Sequence, residues 1–339
     1  MAVAFLKSGA FWAAAVLGLF VLALAAFIVY GTRVPGRSHR GPLPPLAEQE
    51  RSLEEELRRH VAVLAGGIGE RNLFLPAKLD AATQYIRSAF GAFGYEVTEQ
   101  EFTVEGKTVR NLAVELRGTS RPGEIVIVGA HYDSVGGCPG ANDNASGVAA
   151  VLALARRAQQ QDFARTVRFV AFVNEEPPFF TGDTMGSRVY ARAARARKEN
   201  IVAMLSLETI GYYSDAPKSQ AYPAPFGLLY PDTGNFITFV SNYRSRALLH
   251  QVVAAFRENT PFPSEGAAAP EWVPGVGWSD HWSFWKEGYP GVMVTDTAPF
   301  RYPHYHTPQD TPDKLDYPRM ARVISGLSRV LDALAQRSH

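Results

Sequence analysis

The sequence predicts an α/β fold of three layers, a mostly parallel central sheet with helices on both faces, preceded by one N-terminal transmembrane helix. Three observations predict it. From Glu124 onward, segments of strand character alternate with helical ones, the order of a parallel sheet covered on both sides. The run IVIVGA at 125–130 is apolar without alternation, as a strand buried on both faces must be. Phe11 to Tyr30 is 20 residues without a charge, enough for a helix to cross a bilayer.

Composition narrows the function classes. A chain of 339 residues with 46% hydrophobic content can build a large core. Residues 1–40 hold four basic and no acidic residues, leaving 30 basic against 33 acidic in the remainder. A globular part so near neutrality argues against nucleic acid as the main partner. The single cysteine, Cys138, excludes an internal disulfide framework and a Cys-based structural zinc site.

Residues 1–10 form a short flank, and residues 11–30 a membrane anchor. The anchor's apolar run exceeds the roughly 7–15 residues of a cleaved signal peptide core. Phe27, Ile28, Val29 and Tyr30 prolong it past the small residues at Ala25 and Ala26, so an uncleaved single-pass anchor is expected. Lys7 on one side against Arg33, Arg37 and Arg40 on the other would place the C-terminal side in the cytoplasm. A long domain translocates regardless of such a bias, and an extracytoplasmic domain is the expectation. Residues 31–46 read as a Pro/Gly/Arg-rich linker, and residues 47–339 as the globular domain.

Within that domain, Ser52 and Glu55 suggest a capping box ahead of the helical stripe Leu53, Leu57, Val61 and Leu64. A second amphipathic helix runs from Ala77 to Phe93, stopped by Gly94. Strands at Tyr95–Phe102 and Thr108–Leu116 pair antiparallel through a Glu105-Gly106 turn. Further strands are expected at Glu124–Ala130, Thr166–Asn174, Ile201–Leu207 and Gly291–Val294. Helices follow at Ala145–Arg157, Ser187–Arg197, Arg244–Arg257 and Pro318–Gln336. Tyr212–Phe236 and Phe262–Trp285 read as long Pro- and aromatic-rich loops, able to wall a pocket above the strand ends.

Five side chains with metal affinity fall at strand ends or in late loops: His131, Asp143, Glu176, Glu208 and His306. Singly each has an ordinary reading: a hydrogen-bonded loop histidine, a helix N-cap at Asp143, a solvated Glu175-Glu176 turn. Together they matter because three separate strands deliver an acid or an imidazole to one sheet edge, where open α/β sheets place their ligands. Two imidazoles and three carboxylates suit zinc. A two-metal site needs one carboxylate that bridges. Asp143 is the best candidate, lying in a Gly-flanked loop just before a helix start whose dipole favours an anion. Asp133, two residues after His131, can accept the ring N–H and fix the tautomer.

These residues lie in the motifs GAHYDS (129–134), GANDNASG (140–147), NEEPP (174–178), LETIGY (207–212), SDHWSF (279–284) and YHTPQDT (305–311). Six motifs in this order, over about residues 50–336, resemble the family M28 metallopeptidases, di-zinc aminopeptidases and related exopeptidases. The resemblance implies the zinc-dependent exopeptidase fold, a peptide substrate and two zinc ions. His131, Asp143 and Glu208 would hold one ion, and Asp143, Glu176 and His306 the other. Glu175 would be the general base, and Tyr305 a phenol near the tetrahedral intermediate. The Asp143–Asn144 peptide would be cis, with Asp280 and Asp310 as supporting groups. Two positions depart from the family pattern: Glu208 stands where many members have Asp, and Asn144 replaces an acid. His281 and His304 match no ligand position and read as wall residues, and Cys138 as a packed small side chain.

The implied activity is a membrane-anchored aminopeptidase. Two alternatives share the fold: a glutaminyl cyclase-like acyltransferase with a single zinc, and a catalytically silent receptor or scaffold. Filled positions at all five ligands and at the base favour the hydrolase.

Overall fold

The structure is a computed structural model, and it describes residues 2–336. Helix α1 (Ala2–Thr32) leads into an irregular segment and then α2 (Glu48–Val61), which continues as a wider helical turn over Ala62–Ile68, and α3 (Pro76–Ala92). Strands β1 (Thr98–Val104), β2 (Lys107–Leu116) and β3 (Arg121–His131) follow, then α4 (Gly147–Ala158), β4 (Arg165–Phe172), α5 (Gly186–Ala196) and β5 (Asn200–Glu208). The last third holds β6 (Ile237–Ser241), α6 (Arg246–Asn259), β7 (Ser264–Ala268), α7 (His281–Lys286), β8 (Gly291–Thr295), α8 (Ala298–Arg301) and α9 (Tyr317–Ala335).

The eight strands form one sheet in the order β1-β2-β4-β3-β5-β8-β6-β7. Its centre, β4-β3-β5-β8, is parallel. The β1-β2 hairpin joins it antiparallel on one side. On the other side β6 pairs antiparallel with β8, and β7 lies parallel to β6 at the edge. Side chains alternate between the faces along β3. Val126, Val128 and Ala130 join the larger core under α2, α3, α4, α6 and α9. Ile125 and Ile127 join Phe172, Tyr190 and Phe284 under α5 and α7. The central strands run parallel, so their carboxyl ends, His131 and Glu208 among them, share one edge.

Several expectations are corrected. Ser52 and Glu55 lie inside α2, whose first turn is closed instead by the Glu50 carboxylate accepting from Ala47 N at 2.8 Å. The stripe Leu53, Leu57, Val61 and Leu64 is fully buried as expected. Strand β7 lies within the stretch read as loop from Phe262 to Trp285, and β6 begins directly after the other. SEGAA lacks the β-branched and aromatic residues that mark a strand. Its pairing comes from β6 alone.

Helix α1 takes in the first two residues of the expected linker, and residues 33–46 have no regular structure but are strapped to the domain. Arg257 Nη1 donates to the carbonyls of Pro35 and Gly36, Ser264 N donates to Ser38 Oγ, and Arg322 reaches Pro44 O. The strap runs along the outer edge of β7, where unpaired backbone would otherwise be exposed. Helix α1 is long and apolar enough to cross a membrane, and most of its described large side chains are exposed. Its last turns touch the domain, through Phe27 and Tyr30 against Tyr243 and Arg246 over the Tyr30 ring.

Candidate active site

His131 is the last residue of β3 and Glu208 the last of β5. Glu175 and Glu176 follow β4 after a left-handed Asn174, which turns the chain across the strand ends. Asp143 lies between β3 and α4, where the backbone leaves helical geometry and the Asp143–Asn144 peptide is cis. His306 is in the loop before α9, itself left-handed. From these separate places the five side chains converge. His131 Nε2 lies 3.2 Å from Asp143 Oδ1 and 3.3 Å from Glu208 Oε2. His306 Nε2 lies 3.0 Å from Asp143 Oδ2 and 3.3 Å from Glu176 Oε2. Each carboxylate oxygen of Asp143 thus faces a different imidazole. Glu175 Oε2 stands 3.8 Å from His131 Nε2, on the side of the first group.

The loop that carries Asp143 is held from every direction. Asp310 accepts from Asn142 N and Tyr302 Oη through Oδ1, and from Asp143 N through Oδ2. Asn144 Oδ1 accepts from Gly147 N and Thr209 N, while its Nδ2 donates to Leu207 O, tying the start of α4 to β5. Gly147 permits this approach, since a Cβ there would come within 2.4 Å of Leu207 O. Asp133 receives the backbone N–H groups of Glu175 and Glu176 on its two oxygens, at 3.2 and 3.1 Å. Its Oδ1 faces His131 Nδ1 at 3.5 Å, long for a hydrogen bond. The main observed task of Asp133 is therefore to fix the Glu175-Glu176 turn.

Charge is concentrated here and burial makes it costly. Burial and the neighbouring Asp143 push Glu176 up to about 7. Burial pushes Glu175 well above the usual carboxylate range, with Glu208 and Glu176 adding to it against the pull of His131. Asp143 goes the other way: despite burial, the facing imidazoles of His131 and His306 hold it well below that range. Burial opposes charge on His306, but Asp143 and Glu176 raise it to about 10. Such crowding of buried acids calls for positive charge. The geometry accommodates it, because ligand atoms of His131, Asp143 and Glu208, and of Asp143, Glu176 and His306, lie within 4.8 Å of one another. His131 Nε2 and Asp143 Oδ1 are buried without a hydrogen-bond partner among the described residues, although they point together. Two imidazoles with carboxylates in that arrangement fit a pair of metal ions.

The other residues singled out in the sequence fall as follows. Tyr305 stacks on the His306 ring at 3.9 Å between centroids, and burial raises its phenol far above the usual range. Asp280 opens α7, fully buried, and burial raises it to about 7. His281 is a core histidine, its Nε2 at 2.8 Å from Val276 O and its ring against Trp285. His304 packs on Tyr302, and Cys138 is buried with its thiol pushed up to about 11 by burial. Two contributors were not singled out in the sequence, although Ser279 opens the SDHWSF motif. Ser279 donates to Glu208 Oε2 at 2.7 Å and orients it. Arg71, fully buried, donates to the carbonyls of Tyr132, Gly69, Pro139 and Gly140 and so clasps the loop between His131 and Asp143.

A cluster of imidazoles and carboxylates at the carboxyl ends of a doubly covered sheet fits the class of metal-dependent enzymes. The model of Peptidase family M28 matches residues 111–331, and the chain belongs to that family of metallopeptidases. It is 37% identical over 286 residues to YfbL of Escherichia coli (strain K12), covering 82% of this chain and 87% of that protein. In fold it is similar to a zinc aminopeptidase from Bacillus subtilis, with a TM-score of 0.65 at 15% identity, over 82% of this chain and 94% of that one. It is also similar to the glutaminyl cyclase of Fimbriiglobus ruber, with a TM-score of 0.62 at 20% identity, over 89% and 99% of the two chains.

The clasp made by Arg71 leads to a stability prediction. Arg71→Met leaves its loop carbonyls buried and unpaired, so unfolding free energy should fall by about 3 kcal/mol or more. Urea denaturation measures this, and a variant as stable as the parent contradicts the assigned role.

Proposed function

We propose that the chain is a membrane-anchored di-zinc aminopeptidase. The observation that carries this is Asp143, whose two oxygens face His131 and His306, with Glu208 completing one group and Glu176 the other. In this reading His131, Asp143 and Glu208 would hold one ion, and Asp143, Glu176 and His306 would hold the other. When bound, the ions supply Lewis acidity that lowers the pKa of a water and polarises the scissile carbonyl. Both groups being complete favours this over a single-zinc cyclase, and the presence of a base favours it over a silent scaffold.

Glu175 is the general base. It adjoins the cluster without belonging to either group, and so can take a proton from the attacking water and pass it to the leaving amine. Tyr305, kept protonated by burial, donates to the oxyanion as the carbonyl becomes tetrahedral. Asp133, Asp310 and Ser279 hold the acting groups in place. Asp280 is buried within electrostatic reach of His131. Helix α1 anchors the enzyme as a single pass, with the catalytic domain on the extracytoplasmic side.

Glu175→Gln should retain its metal while losing roughly 10²–10⁴-fold in turnover of aminoacyl amides, the range of a general base. Near-parental turnover in that variant would falsify the assignment. For the topology, a phosphatase reporter that needs export, fused after residue 336, should be active in cells. Activity only from a cytoplasmic reporter at that position reverses the orientation.

A further inference from the structure

Beside the metal-binding cluster opens a cavity of about 820 Å³, including its solvent-open part, lined by Glu208 and Tyr305 at one end. Its floor is a single row of residues across four strands. Glu208 on β5 pairs in register with Thr295 on β8, Thr295 with Thr238 on β6, and Thr238 with Glu265 on β7. All four line the cavity. Three interstrand spacings put Glu265 about 14 Å from Glu208 along the floor. The cover is aromatic, with Tyr222 and Phe226 each stacked on Tyr230, and Trp278 stacked on Phe300.

Most polar groups in this cavity are already satisfied. Gln220 and Thr297 bond one another, and Arg301 bonds Gln220. Thr295 Oγ1 pairs with Thr209 and accepts from Thr297 N. The hydroxyls of Tyr222 and Tyr230 donate to Pro231 O and Gly266 O. Two neighbours at the far end are different. Thr238 Oγ1 is buried without a partner, and the Glu265 carboxylate accepts no hydrogen bond among the described residues. Arg257 Nη2 stands 3.8 Å from Glu265, but its N–H groups go to Ser264, Pro35 and Gly36. Arg40 adds a second positive charge facing Glu265. The carboxylate is thus balanced in charge and open in hydrogen bonding.

We propose that this cavity receives the side chain of the substrate's N-terminal residue, and that Thr238 and Glu265 read a neutral hydrogen-bond donor at its tip. Among the common residues, tyrosine combines a ring for the aromatic walls with a hydroxyl that can donate to Glu265 and accept from Thr238. An arginine or lysine tip would meet Arg257 and Arg40. Phenylalanine would fill the walls and leave both polar groups unpaired, the situation in which a site rejects the analogue lacking a hydroxyl. The inference rests on the aminopeptidase reading and adds the substrate class to it.

The test uses the full chain in detergent with zinc, and tyrosyl, phenylalanyl, leucyl and arginyl reporter amides. The expected kcat/KM ratio of tyrosyl to phenylalanyl amide is about tenfold or more, the worth of one hydrogen bond to a carboxylate, with arginyl the poorest. Thr238→Val and Glu265→Leu should each bring the ratio down to about one. Equal tyrosyl and phenylalanyl rates in the parent, a ratio unmoved in both variants, or an arginyl preference overturns the cavity assignment while leaving the aminopeptidase intact. If a variant does not fold, the parental ratio decides alone. No turnover of any amide overturns the aminopeptidase reading, and this inference with it.

Discussion

The arrangement depends on one buried carboxylate shared between two imidazoles. Asp143 is almost inaccessible to solvent, and each of its oxygens faces a histidine from a different part of the chain. A charge so placed is tolerated only when every approach to it is fixed, because a small displacement leaves it unpaired in a poorly solvated interior. The surrounding structure meets that demand. Asp310 accepts from the N–H groups of Asn142 and Asp143, Arg71 clasps the preceding loop, and Asn144 locks the start of α4 to β5. The parallel centre of the sheet then brings His131 and Glu208 alongside.

Much of this was legible in the sequence where the physics is local. The central strands are apolar runs that end in His131 and Glu208, so burial on both faces and an abrupt polar end mark strand and site together. Helix α4 reads clearly because VAAVLALA is apolar all round, and it is buried all round. Strand β7 could not be read, since Ser, Glu, Gly and Ala carry no strand preference and its one neighbour supplies the pairing. Arg71 was equally silent. Its partners in the clasped loop are backbone carbonyls some 60 to 70 residues away, and a carbonyl leaves no trace in a sequence. The start of α2 was misplaced for a related reason: Glu50 reaches back to a backbone N–H of alanine, so no Ser or Thr signals the cap.

The two strands hidden in the sequence give the molecule its second feature. By widening the sheet beyond β8, β6 and β7 extend a floor from Glu208 to the far wall of an aromatic cavity. Chemistry and selectivity are thus separated along one row of the sheet, with the cluster at the β5 end and the open polar pair at the β6-β7 end. The strap from α1 runs along that outer edge and supplies Arg40. The segment that leads out of α1 is therefore also part of the cavity's surroundings.

The central claim is that Asp143 is shared by two cations. Diffraction from crystals of the zinc-loaded protein, collected on both sides of the zinc absorption edge, addresses it directly. The account predicts two anomalous peaks flanking the Asp143 carboxylate, one beside His131 and Glu208 and one beside Glu176 and His306. A single peak, or a pair of which Asp143 touches only one, contradicts it.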